Sequence, residues 1–251
     1  MQVIGNQIIW LNQVESTNDF ALEMLTVKTP ESGTVIATTD QTKGKGQRGN
    51  QWLVKAHENL CFSIVLTKLH IDVSKIFVMN MAIAVGLRNY IAAEVKNKTV
   101  SIKWPNDILI GREKVAGILI ENNLSGSTIN NFVIGIGINM NQEVFDFSQF
   151  MRKPTSLKIQ TSISYSHKQE LDKLLSFLNA SMLHFFSGNY ERIKLDYHQS
   201  LYLLNTTAMY LHRGENIRLT IQKVDELGMI HFVDEDKSLI TANVQDLRFL
   251  S

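Results

Sequence analysis

Between residues 100 and 139 the chain leaves room only for antiparallel strands. Val100-Ser101-Ile102-Lys103-Trp104 is stopped by Pro105, and Asn106-Asp107 turns the chain into Ile108-Leu109-Ile110. Gly111-Arg112-Glu113 turns it again into Val115-Ala116-Gly117-Ile118-Leu119-Ile120, and a further hairpin around Ser125 and Gly126 returns it from Phe132 to Asn139. A parallel neighbour needs a crossover of about a dozen residues or more, which these turns cannot hold. The rest of the sheet must be built around this meander.

Upstream, Ile8-Ile9-Trp10-Leu11, Thr34 to Thr39 and Leu60 to Thr67 read as strands rich in β-branched residues. Over residues 73–95, Ile76, Phe77, Met79, Ala82, Ile83, Val85, Leu87 and Ile91 crowd most faces of one long helix, which predicts burial against the sheet. A polar, Ser/Thr-rich connection over 142–166 precedes a second helix with Leu171, Leu174, Leu175, Leu178, Met182 and Phe185 on one stripe. Beyond Leu204 the texture changes to short strands separated by Arg213-Gly214-Glu215, Leu227-Gly228 and Asp234-Glu235-Asp236, the pattern of a small barrel. The expected fold is α+β: a mixed, largely antiparallel sheet with flanking helices over residues 1–204, then a small β-barrel over 205–251.

A formal net charge of +1 argues against broad nucleic-acid binding, which needs a strongly basic face. The single cysteine, Cys61, lies in an apolar run, so no internal disulfide exists and a buried strand position is its simplest role. The seven histidines are scattered without metal-ligand spacing, so no intrinsic metal site is expected. No leader pattern opens the chain, and no stretch reads as long enough to span a membrane, so the cytoplasm is the default setting.

Within this frame one loop is basic and rich in glycine: Asp40-Gln41-Thr42-Lys43-Gly44-Lys45-Gly46-Gln47-Arg48-Gly49-Asn50-Gln51-Trp52. Glycines let backbone amides approach a ligand, and Lys43, Lys45 and Arg48 gather cations around them, as an anion site requires. Its spacing is neither that of a P-loop nor of a dinucleotide fingerprint, and a basic surface loop without ligand has the same composition. Ser16, Thr17 and Asn18 open a helix, where they cap free N–H groups or hold a polar ligand. Lys103, Asp107 and Lys114 bracket one hairpin. Gly135 and Gly137 inside a strand imply backbone closely approached, by a packed element or by a ligand.

Taken together, Gly44 to Gly49 with Trp52, Lys103-Trp104-Pro105-Asn106-Asp107, Lys114 to Glu121 and Gly135-Ile136-Gly137-Ile138-Asn139-Met140-Asn141 resemble, in order, the four signature segments of biotin protein ligases. Ser16-Thr17-Asn18 and Gln41 match as well, and the C-terminal module is similar to that family's SH3-like barrel. The chain resembles the monofunctional members that lack an N-terminal helix-turn-helix, so no DNA binding is implied.

The resemblance implies that biotin and ATP, with Mg²⁺, give biotinyl-5′-AMP, and that biotin then passes to a lysine of a biotin carboxyl carrier domain, as in acetyl-CoA carboxylase. It also accommodates a homodimer. Like charges must meet in the first step, at about 4 kcal/mol per unit pair at about 4 Å in a moderately polar site, so fixed cations are needed. By resemblance Lys114 serves both steps on the biotin carboxylate and the α-phosphate, Lys103 and Lys45 assist, and Asp107 orients or deprotonates the incoming lysine. Ser16, Thr17 and Gln41 would bond the ureido ring, and Asn18, Gly44, Gly46, Gln47, Trp52 and Gly117 would complete the biotin pocket. Lys45, Gln47, Arg48, Lys103, Asn106 and Asn139 would lie by the nucleotide.

Two loop positions depart from the family pattern. Lys45 and Gln47 stand where arginines are usual; a lysine gives up the bidentate fork and a glutamine the charge. Arg48 or Lys43 is the expected substitute. Two other readings share the residues: a lipoate ligase, whose usual Arg-Arg and Ser-Gly-Gly-Gly are absent, and a non-catalytic module binding biotin or its adenylate, against which Lys103 and Lys114 count.

Overall fold

The computed structural model describes residues 4–125, 128–146, 148 and 152–250; Gly126, at the expected hairpin tip, lies outside them. Its main sheet runs in the order β1 (Ile8–Leu11), β2 (Thr34–Thr38), β3 (Leu60–Leu66), β8 (Thr128–Ile138), β7 (Glu113–Ser125), β6 (Asp107–Ile110) and β5 (Val100–Lys103), with β4 (Ile71–Asp72) pairing β8. The β1–β2 pair is parallel and the other pairs are antiparallel, as the short turns of the meander demand. Helix α1 (Thr17–Val27) supplies the crossover that the parallel pair requires.

Strand alternation divides the work of the two faces. Leu60, Phe62, Ile64 and Leu66 of β3 and Phe132, Ile134, Ile136 and Ile138 of β8 join the main core with α2 (Ile76–Glu94) and α4 (His167–Phe186). The opposite face carries Val65 and Val133 under Ala21 of α1. Further along that face come only small residues: Cys61 lies opposite Gly137, Ser63 opposite Gly135, and Gly117 of β7 opposite Gly137. A shallow trough is therefore left beside α1.

Helix α2 corrects one sequence expectation. With the turn before it, residues 73–94 are long and apolar enough by length and composition to cross a membrane, with mean hydropathy 1.5. Those apolar residues are used inside the protein: twelve positions from Val78 to Ile91 are buried, in contact with α4, α5 (Tyr190–Gln199) and the sheet. The 142–166 connection also contains a short helix, α3 (Leu157–Thr161), capped by the Ser156 hydroxyl.

After Leu204, β9 (Thr207–His212), β10 (Glu215–Val224), β11 (Ile230–Val233), β12 (Leu239–Ala242) and β13 (Leu247–Phe249) form an antiparallel sheet in the order β12-β11-β10-β9-β13. No pairing closes β12 onto β13 among the described residues, so the sheet is open. It is fastened to the larger part: Trp104 Nε1 donates to Gly228 O at 3.0 Å, and Glu226 pairs with Lys75 at 2.5 Å and Lys194 at 2.9 Å.

Candidate active site

A cavity of about 800 Å³ opens over the trough, between the N-terminus of α1, the Gly-rich loop, the β5–β6 turn and β13. Its inner wall is polar. Ser16 is the true N-cap of α1, accepting from Asp19 N at 3.3 Å, whereas Thr17 and Asn18 turn inward. Gln41 Oε1 accepts from Thr17 N at 2.9 Å, and Asn18 Nδ2 donates to Glu121 Oε2 at 2.7 Å. Ser63 Oγ lies 2.7 Å from Thr17 Oγ1 and 2.6 Å from Asn18 Oδ1; its one proton serves one of them at a time. These groups are fixed before any ligand arrives, as a binding site for a small polar ring requires.

The two strand glycines now have a reason. A Cβ on Gly135 would lie 2.3 Å from Asn18 Oδ1, and one on Gly137 would lie 2.3 Å from the Trp52 ring. The closely packed neighbours are thus side chains of α1 and of the loop. Trp52 is held over the trough by its own N–H, which donates to Gly44 O at 2.9 Å. Its indole N–H is buried, no oxygen or nitrogen among the described residues receives it, and it faces the Cys61 thiol. Burial pushes that thiol up to about 12, against a smaller opposing effect of the indole. Cys61 is accordingly expected to resist a thiol reagent at pH 8 in the native state and to react fully once the protein is unfolded, as stopped aliquots would register.

At the other end sit the charges. Lys103 and Asp107 are directly opposed across the β5–β6 hairpin. Lys114 reaches them because of a bulge: Ile108 pairs with Ala116 but Leu109 pairs with Lys114, so Val115 is the extra residue. Without it Leu109 would face Val115 and Lys114 would point to the opposite side of the sheet. Lys114 Nζ lies 2.6 Å from Asp107 Oδ1, and Lys103 Nζ lies 3.5 Å from Oδ2.

Burial alone would push the Asp107 carboxyl up, but the ammonium groups of Lys114 and Lys103 outweigh it and hold the carboxyl below its ordinary range. Burial lowers Lys103, against the attraction of Asp107. A carboxyl depressed on folding contributes stability above its unfolded value, near pH 3.9, that is lost as pH falls through the folded one. Asp107→Asn is therefore expected to destabilise the protein at pH 7, by a margin that shrinks below about pH 4 in chemical denaturation.

The loop itself closes with Gly46 N to Asn50 O at 2.7 Å, and Arg48 and Gly49 both take positive φ, 60° and 74°. Lys45, Gly46, Gln47 and Arg48 line the cavity, with Lys45 paired to Asp19 at 2.5 Å. Lys43 turns outward to Glu15 at 2.7 Å and is mostly exposed, whereas Arg48 lines the cavity.

Asn106, Gly117 and the three charged residues also line the cavity. Gly44 packs against Trp52 O and Gln41 just behind it, and Asn139 is buried, its amide donating to Thr155 O at 2.9 Å. The cavity wall also includes Arg152, Arg248 and Phe249, for which the sequence carried no signal. Among the described residues no group of three or more His, Cys, Asp or Glu could hold a metal ion.

A neutral inner pocket leading to a cationic end around one ionised carboxylate suits a molecule with a polar ring at one end and an anionic group at the other. The chain belongs to the Biotin/lipoate A/B protein ligase family, whose pattern it matches over residues 10–139. It is 33% identical over 173 residues to the bifunctional ligase/repressor BirA of Bacillus spizizenii, covering 68% of this chain and 50% of that protein. It is 34% identical over 135 residues to the biotin--[acetyl-CoA-carboxylase] ligase of Paracoccus denitrificans, covering 52% of this chain and 53% of that one. The chain thus spans about half the length of these curated relatives. A structure of the Aquifex aeolicus biotin protein ligase in complex with biotin and ATP shares its fold with TM-score 0.78 at 24% identity, over 97% of this chain and 98% of that one.

Proposed function

We propose that this chain is an ATP-dependent biotin protein ligase that makes biotinyl-5′-AMP and transfers biotin to a lysine of a biotin carboxyl carrier domain. The observation that carries the reading is the joining, in one cavity, of the Thr17–Asn18–Gln41 wall to the Lys103–Asp107–Lys114 cluster. Family membership and the names of the relatives support it.

In the first step the biotin carboxylate attacks the α-phosphorus of ATP and pyrophosphate leaves. Lys114 bridges the two anions and Lys103 stabilises the phosphate charge, both fixed before the reaction so that little reorganisation is needed. Lys45 and Arg48 cover the nucleotide from the loop. In the second step the neutral carrier amine attacks the carbonyl carbon of the mixed anhydride, AMP leaves with the electrons of the broken C–O bond, and the nitrogen gives up its extra proton to water. Asp107 is a weak base while two ammonium groups hold it ionised, so its part is to aim Lys114 and Lys103 and to orient the incoming neutral amine by accepting a hydrogen bond from it. Mg²⁺ would come with ATP; the cluster offers one carboxylate, which suits an ion held mainly by phosphate oxygens and water.

The same reading covers an SH3-like arrangement of the strands after residue 205 as a second unit, a cytoplasmic setting and a homodimer. Biotin-dependent exchange of pyrophosphate into ATP, with lipoate as a parallel substrate, tests it. Exchange with biotin alone supports the ligase. Exchange driven by lipoate reassigns the chain to the sister activity, and tight biotin binding without exchange reassigns it to a binding module.

A further inference from the structure

The C-terminal sheet reaches the charged cluster through β13. Phe249 of β13 presents its ring face to Lys103, with Nζ 4.8 Å from the centroid. That ring is itself fixed, edge to face, on Tyr210 at 5.1 Å, and Tyr210 on Phe232 at 5.1 Å, so a ladder of rings runs from the core of the C-terminal sheet to the ammonium. Tyr210 and Phe232 are fully buried.

Lys103 needs such a support. Its side chain is 16% exposed, and its ion pair with Asp107 is long because Asp107 is drawn to Lys114. A carboxylate close enough to fix Lys103 would occupy its N–H donors and cancel its charge. An aromatic face attracts the cation without accepting a conventional hydrogen bond, so the donors stay available for a phosphate.

We propose that Phe249 is a positioning residue for Lys103, through which the C-terminal sheet sets the cation that meets the nucleotide phosphates. The inference rests on the ligase reading for its kinetic consequence, but not for its effect on Lys103 itself. Asp107 attracts the ammonium, Lys114 and Arg152 repel it, and Arg248 of the same strand lines the cavity. Against that background the ring favours the charged amine, and its loss lowers the pH at which Lys103 gives up its proton.

The test compares Phe249→Leu, which fills the space without a π face, with Phe249→Tyr, which keeps the ring. Lysine labelled at Cε is titrated by NMR in the free full-length protein, with the Lys103 signal assigned through Lys103→Arg. Pyrophosphate exchange is then measured with biotin affinity as a separate readout. Phe249→Leu should titrate at lower pH than wild type and exchange about five- to thirtyfold more slowly at unchanged biotin affinity, while Phe249→Tyr stays within about twofold on both. Phe249→Leu equal to wild type in the titration, or Phe249→Tyr as impaired as Phe249→Leu, overturns the proposal. Failure of wild type to exchange would withdraw the ligase reading alone, since the titration decides the role of Phe249 by itself.

Discussion

Lys114→Ala is expected to lower biotin-dependent pyrophosphate exchange by about a thousandfold, the largest effect of any single truncation in the cavity. Lys114 Nζ lies 2.6 Å from Asp107 and 5.3 Å from the centre of the Trp52 ring, at the junction between the neutral pocket and the cationic end. The other cavity lysines are placed elsewhere: Lys103 is 3.5 Å from the far oxygen of Asp107, and Lys45 is engaged with Asp19 across the cavity. Lys114→Arg should recover little, because a planar fork does not occupy the space of a compact ammonium between a carboxylate and an indole. The loss should fall on turnover, with biotin affinity measured by calorimetry changing far less, since the Thr17–Asn18–Gln41 wall is untouched. Exchange within tenfold of wild type would remove Lys114 from the centre of the mechanism.

The second large effect is expected from a single methyl group. Gly135→Ala places a Cβ 2.3 Å from Asn18 Oδ1 and 2.9 Å from Asn18 Cγ, and Asn18 cannot simply swing aside. Its oxygen is held by Ser63 and its amide nitrogen by Glu121, at 2.6 and 2.7 Å. Overpacking of this kind costs about 2 kcal/mol, which for a chain of this length lowers the melting temperature by about 4–8 °C. Biotin affinity should fall by more than stability alone explains, because Thr17 shares the Ser63 hydroxyl with Asn18. Adding Asn18→Ala to Gly135→Ala should restore much of the melting temperature but not the affinity. If Gly135→Ala melts and binds like wild type, the glycine is incidental.

How much of this could be read from the residues alone depended on whether partners lie close in the chain. The meander of β5 to β8 was legible because its turns are too short for any other geometry. The burial of α2 was legible from apolar residues on most faces, although the same composition meets the requirements of a membrane span, and only packing against α4 and α5 separates the two. The Gly-rich loop and the hairpin carrying Lys103 and Asp107 were marked by residue type and spacing, whereas Ser16, Thr17 and Asn18 read alike as caps or ligand groups and only Ser16 is the cap.

What escaped notice is held by contacts between distant segments. Ser63 reads as one hydroxyl in an apolar strand until the β3–β8 register sets it under α1. Phe249 reads as the end of a short strand until the C-terminal sheet docks on Trp104. Lys43 and Lys45 look equivalent in sequence, yet one faces solvent beside Glu15 and the other lines the cavity, a difference set by the path of the loop. Such placements depend on tertiary geometry that local propensity does not encode.

The extra residue at Val115 makes the chemistry a matter of counting as well as composition. A strand is a two-phase object, and inserting one unit exchanges its faces from that point onward. Lys114 stands on the near side of that exchange and Gly117 on the far side, so one strand offers a flat bed for a ring and, three residues earlier, a cation on the same surface. Drawing Val115 into the ladder would retain every cavity-lining side chain and still send the lysine into the hydrocarbon interior. The break in register at this point matters as much as the identities around it, and a strand with the same residues in unbroken alternation would have the parts of the site without its polarity.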